Sequence, residues 1–353
     1  MKRIKNIYVK GQPPCLDDSL FFSKTTDFFQ TFIPKQSNGS ENTIKSYKTG
    51  LSMFREYGRD QKGISIRKFK FSDCTYDLFL DYRNWLHDSK GYMESTTNNR
   101  LAAIRSYMNY VSARDISLQQ IAFCVSEVPA YRVPKKIGPV IDQLETLTAL
   151  LSAPPNTRTG LRDKTILSVL FDTAIRVDEL VRLDFSDVNL YVSDPYIHVH
   201  GKGNKERKVY FSENTLDLIK QYIKEFHYEK NRNDPFFYSK IRGERGYMSR
   251  RNIERIVKKY ADQIRPQYPD LPSSVYPHLL RRTRATGLYQ DGVEIEAIST
   301  FLGHSLLQTT KDHYVRPSID QLRNAIEKKD DDKEIEEPLW LDDEELAKLC
   351  GLR

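Results

Sequence analysis

The 353-residue sequence predicts a mainly α-helical protein of two domains, with a small β-sheet or hairpin in the C-terminal one. Three observations predict it. Apolar residues recur at three- and four-residue steps through the first third, a proline-rich stretch interrupts the chain after Val128, and β-formers flank one glycine-rich run after His200. An apolar fraction of 39% beside 29% charged residues is enough to fill compact cores and excludes a mostly disordered or fibrous chain.

In chain order, Ile44, Tyr47, Leu51 and Phe54 define one amphipathic helix, and Leu101, Ile104, Met108 and Val111 a second. Their other faces carry Lys45, Lys48 and Arg55, and Asn99, Arg100 and Arg105, so each helix can pack while presenting cations; solubility explains the same pattern. From Val128 to Val140 three prolines, a glycine and three cations read as an extended linker. The expected organisation is a helical domain over 12–128, a linker over 129–139, a second domain over 140–329 and an acidic tail with a terminal peptide over 330–353. Asp142 to Ser152 and Arg162 to Thr173 read as helices, the second apolar on most sides. Tyr196 to His200 and Lys208 to Phe211 bracket Gly201-Lys202-Gly203-Asn204-Lys205 as a hairpin with Lys202 at its tip. Helix resumes at Leu279, breaks at Asp291-Gly292 and continues through Ile295, Ile298, Phe301 and Leu302 to Gly303, a C-terminal cap. Behind the acidic run, Leu339, Trp340, Leu341, Leu346 and Leu349 form an apolar set, and Asp342 to Glu345 suit a helix start.

The net charge is +7, but the last 37 residues carry 6 basic and 12 acidic side chains, which leaves the preceding 316 at +13. That balance suits a polyanionic partner such as nucleic acid. No apolar run approaches a membrane span and Met1 to Lys10 lacks a signal-peptide core, so a cytoplasmic protein with no membrane partner is expected. Cys15, Cys74, Cys124 and Cys350 are far apart and read as reduced thiols. Neither a His-Glu-x-x-His metal motif nor a phosphate-binding Gly-x-x-x-x-Gly-Lys-Ser/Thr loop occurs, so no metal and no cofactor is expected.

Five short stretches hold polar residues that the helical or strand pattern does not need: Ala174 to Leu180, Gly201 to Lys205, His278 to Arg282, Leu302 to Ser305 and Thr309 to Tyr314. Singly, each has a structural explanation. Arg176 can pair with Glu179, the glycines can turn the chain, and His278 and Arg281 can pair across one helical turn.

In order and spacing, the set resembles the active site of the tyrosine recombinases, or phage integrase family. The resemblance implies a first arginine at Arg176, a hairpin lysine at Lys202, a His-x-x-Arg pair at His278 and Arg281, a second histidine at His304 and a nucleophile at Tyr314. It is carried also by Glu179-Leu180, by Gly-Lys-Gly-Asn-Lys-Glu-Arg around Lys202, by Leu-Gly-His-Ser around His304 and by Thr309-Thr310. Ala174 departs from it, since a glycine is common there. The match is strong over about residues 140–325, and Ser95 to Arg105 is similar to the family's helical core-binding domain. The implied fold is a two-domain DNA clamp of a helical core-binding domain and a catalytic domain.

The residue types suit that chemistry. Displacement at an anionic phosphodiester adds charge on its nonbridging oxygens, so fixed cations favour the transition state. Arg176 and Arg281 would supply forked, permanent charges. A tyrosine, with a reference pKa of about 10, needs a proton acceptor, for which His278 is the candidate, while His304 bonds the phosphate. The leaving 5' hydroxyl must be protonated, and Lys202 is the candidate acid with Lys205 its rival. Glu179 either orients Arg176 or is structural. The expected function is site-specific DNA recombination, the integration or excision of a mobile element through a 3'-phosphotyrosine link and a Holliday junction. The resemblance implies a homo-tetramer on two duplex DNA sites, and the C-terminal peptide either docks on a neighbouring protomer or folds back on its own chain. Lys45, Lys48, Arg100, Arg105, Lys205, Arg250 and Arg251 are the expected DNA contacts. The alternatives are a type IB topoisomerase-like enzyme and an inactive helix-turn-helix regulator built on Arg281 to Leu302. The family's long arm-binding module is not expected here.

Overall fold

The computed structural model describes residues 17, 19–37, 39–134, 138–201, 206–228, 231, 233–241, 243–303, 307–314 and 348. The chain divides into two units, Met1–Pro134 and Lys135–Arg353. As the periodicity predicts, the described residues are mainly helical, with small antiparallel sheets in the second unit only.

In the first unit, α1 (Thr25–Asp27) runs into a π-helical turn over Phe28–Gln36. The long helices α2 (Glu41–Lys62) and α4 (Glu94–Ser112) follow, with α3 (Tyr76–Asn84) between them and α5 (Gln119–Glu127) after. Ser40 starts α2 by accepting the Thr43 N–H at 3.2 Å, and Gly63, at φ 66°, ends it. The predicted stripes face the core: Leu51, Phe54, Leu101, Ile104, Met108 and Val111 are buried among Phe21, Phe28, Phe79, Tyr82 and Tyr107. The two long helices touch closely at Gly50, where a Cβ would lie 2.6 Å from that of Ala103. A residue larger than glycine would wedge them apart.

The second unit begins with α6 (Leu144–Ser152) and α7 (Arg158–Asp172), whose Ile166, Leu167, Val169 and Leu170 are fully buried. A short α8 (Val177–Leu180) leads to the three-stranded sheet β1 (Val188–Asn189), β2 (Tyr196–His200) and β3 (Glu206–Tyr210). β2 and β3 form the predicted hairpin, in register from Tyr196 opposite Tyr210 to His200 opposite Glu206. Then come α9 (Glu213–Phe226), a hairpin of β4 (Tyr238–Ile241) and β5 (Glu244–Tyr247), α10 (Arg250–Ile264), α11 (Pro277–Gln290), α12 (Ile295–Leu302) and α13 (Leu307–Tyr314). The predicted break between α11 and α12 falls at Gly292, φ 86°. At the entry to this unit, the Ile141 N–H donates to Thr283 Oγ1 at 3.0 Å and Arg282 Nη1 to the Pro139 carbonyl at 3.3 Å, which fixes 139–141 to α11. Among the described residues, no helix is long and apolar enough to cross a membrane.

Candidate active site

Arg176 stands at the N-terminal cap of α8, and its position is set by Glu179 one turn on. The Glu179 carboxylate accepts the Arg176 backbone N–H at 2.8 Å through Oε2 and its Nη1 at 3.0 Å through Oε1. Glu179 also accepts both terminal nitrogens of Arg207 on β3, at 3.1 and 2.8 Å. One buried carboxylate therefore serves two guanidinium groups, and this settles its two readings together: it is structural and it orients Arg176. Its pKa is the balance of opposed causes. Burial raises it, but the hydrogen bond and charge of Arg207, then the N–H and charge of Arg176, outweigh burial and hold the carboxyl below its ordinary value.

Arg281, on the first turns of α11, is 1% exposed. Its Nη1 donates to the Ala174 carbonyl and its Nη2 to the Leu302 carbonyl at 2.7 Å. Arg176 Nη2 reaches the neighbouring Gly303 carbonyl at 3.3 Å, and Arg207 Nε the Phe301 carbonyl at 3.2 Å. Arg281 and Arg207 thus meet the last two carbonyls of α12, and Arg176 that of its cap residue Gly303, at the end where no helical N–H satisfies the carbonyls and the helix dipole is negative. Gly303 makes this approach possible: its φ is 66°, and a Cβ there would lie 3.0 Å from Arg207 Nη1.

His278, one turn before Arg281, is exposed at the start of α11 behind Pro277. Arg176, His278 and Arg281 line one cavity of about 180 Å³, shared with Asp178, Arg250 and Tyr276. Tyr314 is the last residue of α13; its side chain lies outside the described residues, as do Lys202, Lys205 and His304. The acidic tail and the apolar set after it lie outside them too.

The expected DNA contacts divide into two kinds. Lys45 and Lys48 are exposed on α2, and Arg250 and Arg251 on α10. Arg250 pairs with Glu254 at 2.9 Å and reaches Asp178 at 3.5 Å. Arg100 is half-buried, with Nη1 3.5 Å from the Ser46 carbonyl. Arg105 turns inward instead. Its Nε donates to the Val125 carbonyl at 3.1 Å and its Nη2 to that of Val128, so the half-buried guanidinium closes the end of α5.

Sequence reasoning misses three features. Arg207 stands in the Gly-Lys-Gly-Asn-Lys-Glu-Arg run, but its role is hidden there because its partner Glu179 is 28 residues away. Ala174 looks like a minor departure from the family's glycine, yet its φ of 49° is the left-handed conformation that favours glycine, and among the described residues no other non-glycine adopts one. The alternation His198-x-His200 matches neither a cysteine pair nor a helical metal motif, whereas the fold brings both imidazoles beside Asp187.

The sequence profile described as the phage integrase family matches residues 142–320, and that of the phage integrase SAM-like domain matches 24–123. The tyrosine recombinase XerC of Staphylococcus haemolyticus is 30% identical over 304 residues, covering 84% of this chain and 93% of its own. The tyrosine recombinase XerD of Staphylococcus epidermidis is 28% identical over 298 residues, covering 84% and 94%. Among solved structures, XerH bound to its difH substrate superimposes with a TM-score of 0.61 at 19% identity, over 84% of this chain and 82% of its own. The Tn1549 transposon integrase in complex with transposon right end DNA gives 0.63 at 16%, over 86% and 98%. The fold is theirs, and the profile that spans the α6 to α13 unit with its arginine cavity places the chain in the phage integrase family of tyrosine recombinases.

Proposed function

We propose that this protein is a site-specific DNA recombinase that cuts and rejoins duplex DNA through a covalent tyrosine intermediate. The observation that carries the reading is the cavity lined by Arg176, His278 and Arg281, with both guanidinium groups already oriented by carbonyl and carboxylate acceptors. A phosphodiester seated there meets fixed positive charge where its nonbridging oxygens gain electron density. The Tyr314 phenol oxygen attacks phosphorus and gives its proton to His278. The bond from phosphorus to the 5' oxygen breaks, and that oxygen takes a proton from Lys202. The 3'-phosphotyrosine link keeps the bond energy for rejoining, by the reverse step, to a new 5' hydroxyl. His304 completes the phosphate contacts.

The assembled form in this reading is a tetramer on two DNA sites, resolved through a Holliday junction. Its protomers are linked by the C-terminal peptide. A cavity of about 460 Å³ lined by Phe211, Leu288, Val293, Ala297 and Phe301 offers the apolar residues Leu339, Trp340 and Leu341 of a neighbour a seat.

Incubation with nicked cognate DNA in chelator is expected to give a denaturation-resistant protein–DNA adduct, and Tyr314→Phe to bind the DNA without forming one. Adduct persisting in Tyr314→Phe would move the nucleophile to another phenol, first of all Tyr276, which lines the same cavity. Relaxation of any supercoiled plasmid regardless of sequence would indicate a topoisomerase instead.

A further inference from the structure

The outer face of the β2–β3 hairpin gathers donors that the strand-exchange chemistry does not use. Ile197 and Val199 are fully buried, so the alternate residues His198 and His200 leave the opposite face together, with ring centroids 4.6 Å apart. Asp187, in the turn before β1, reaches the same place, its Oδ1 3.3 Å from His200 Nε2. Glu206, opposite His200 in the ladder, brings Oε1 to 3.3 Å from His200 Nδ1 and Oε2 to 3.2 Å from His198 Nε2. One ligand atom each from Asp187, His198 and His200 lie within 4.8 Å of one another.

From this convergence we propose that the root of the hairpin binds one divalent transition-metal ion of the zinc type, with Asp187, His198 and His200 as ligands. In a tetrahedral zinc site with bonds of about 2.0–2.1 Å, neighbouring ligand atoms are about 3.3 Å apart, which is the spacing of the Asp187 and His200 atoms. Two imidazoles and one carboxylate suit zinc, cobalt or nickel, whereas magnesium and calcium take oxygen ligands. Glu206 Oε1 stands 3.3 Å from the other ring nitrogen of His200, close enough to become the second contact that orients a metal-binding imidazole. A bound ion ties His200, immediately before the Gly201 to Lys205 run, to the turn that leads into β1. The ion takes no part in the phosphodiester chemistry, so adduct formation in chelator and metal binding without DNA test separate claims.

The test is a zinc titration of the full-length protein, freed of metal beforehand, against a chromophoric competitor, with cobalt binding followed by visible absorption. One equivalent is expected, with a dissociation constant of about 1 µM or tighter and no competition from magnesium. His198→Ala/His200→Ala is expected to weaken binding by about 100-fold or more with an unchanged far-ultraviolet spectrum. Should the double variant misfold, His200→Ala decides, because that side chain is 57% exposed. A wild-type protein that takes up no ion overturns the proposal and leaves the cluster an imidazole–carboxylate hydrogen-bond network. Variants that bind zinc as the wild type does overturn it equally, by placing the ion elsewhere.

Discussion

Glu179 carries more than its share at the scale of a single residue. Its side chain is 7% exposed and neutralises Arg207, itself only 13% exposed, while steering Arg176. A carboxyl whose pKa is lowered on folding stabilises the protein above its unfolded value, and that contribution fades as pH falls through the folded value. The wild type is therefore expected to lose stability on acidification below its ordinary value of 4.5, in urea melts repeated across that range. Glu179→Gln is expected to be weaker at neutral pH and to lack that part of the acid dependence. Glu179→Ala leaves Arg207 buried and uncompensated, at a cost of about 3 kcal/mol. Ala174 poses a different problem, since its left-handed backbone favours glycine while its methyl group is buried against Ala285, Ile298 and Leu302. The relief and the lost contact nearly offset, so Ala174→Gly is expected to melt within about 1 kcal/mol of the wild type. Ala174→Val, β-branched in that conformation, is expected to lose about 3 kcal/mol in the same measurement.

Whole elements explain which parts of the molecule are legible in advance. Helices α2, α4 and α12 are legible because one periodic apolar face suffices, α7 because it is apolar on most sides, and the hairpin because β-formers flank glycines. What the sequence hides is the use of polar side chains across elements. Arg105 and Lys48 look alike in sequence, both cations opposite an apolar stripe, yet Arg105 closes α5 and Lys48 stays exposed near the Phe29 ring, 5.5 Å away. They are expected to separate in experiment. Arg105→Ala is expected to lower the stability of the N-terminal unit by about 2 kcal/mol, the worth of hydrogen bonds from a charged donor, in thermal or urea melts. Lys48→Ala is expected to leave stability unchanged and to reduce the salt dependence of DNA binding by about one counterion in titrations at several ionic strengths. For the site, order and spacing name the six motif residues, but the acceptors that hold the arginines, the carbonyls of Ala174, Leu302 and Gly303, bear no side-chain signature and appear only once α11 and α12 are folded.

For the molecule as a whole, the distribution of charge governs its affinity for a polyanion. A body of net +13 ahead of an acidic tail is suited to backbone contacts with a polyanion, and the proposed docking in trans assigns the apolar cavity beside α12 to the peptide of a second copy. Truncation after Lys329 is expected to leave DNA binding by single protomers intact and to abolish cooperative assembly in gel-shift titrations. Cooperative assembly that survives it would return the tail to its own chain. The clamp on Arg281 has a last consequence, for kinetics. Because α12 and the Ala174 loop restrain that guanidinium before any DNA arrives, Arg281 itself needs no rearrangement when substrate binds. Under the proposed function, single-turnover cleavage of a preassembled nicked complex is expected to show no slow step ahead of adduct formation that depends on protein concentration.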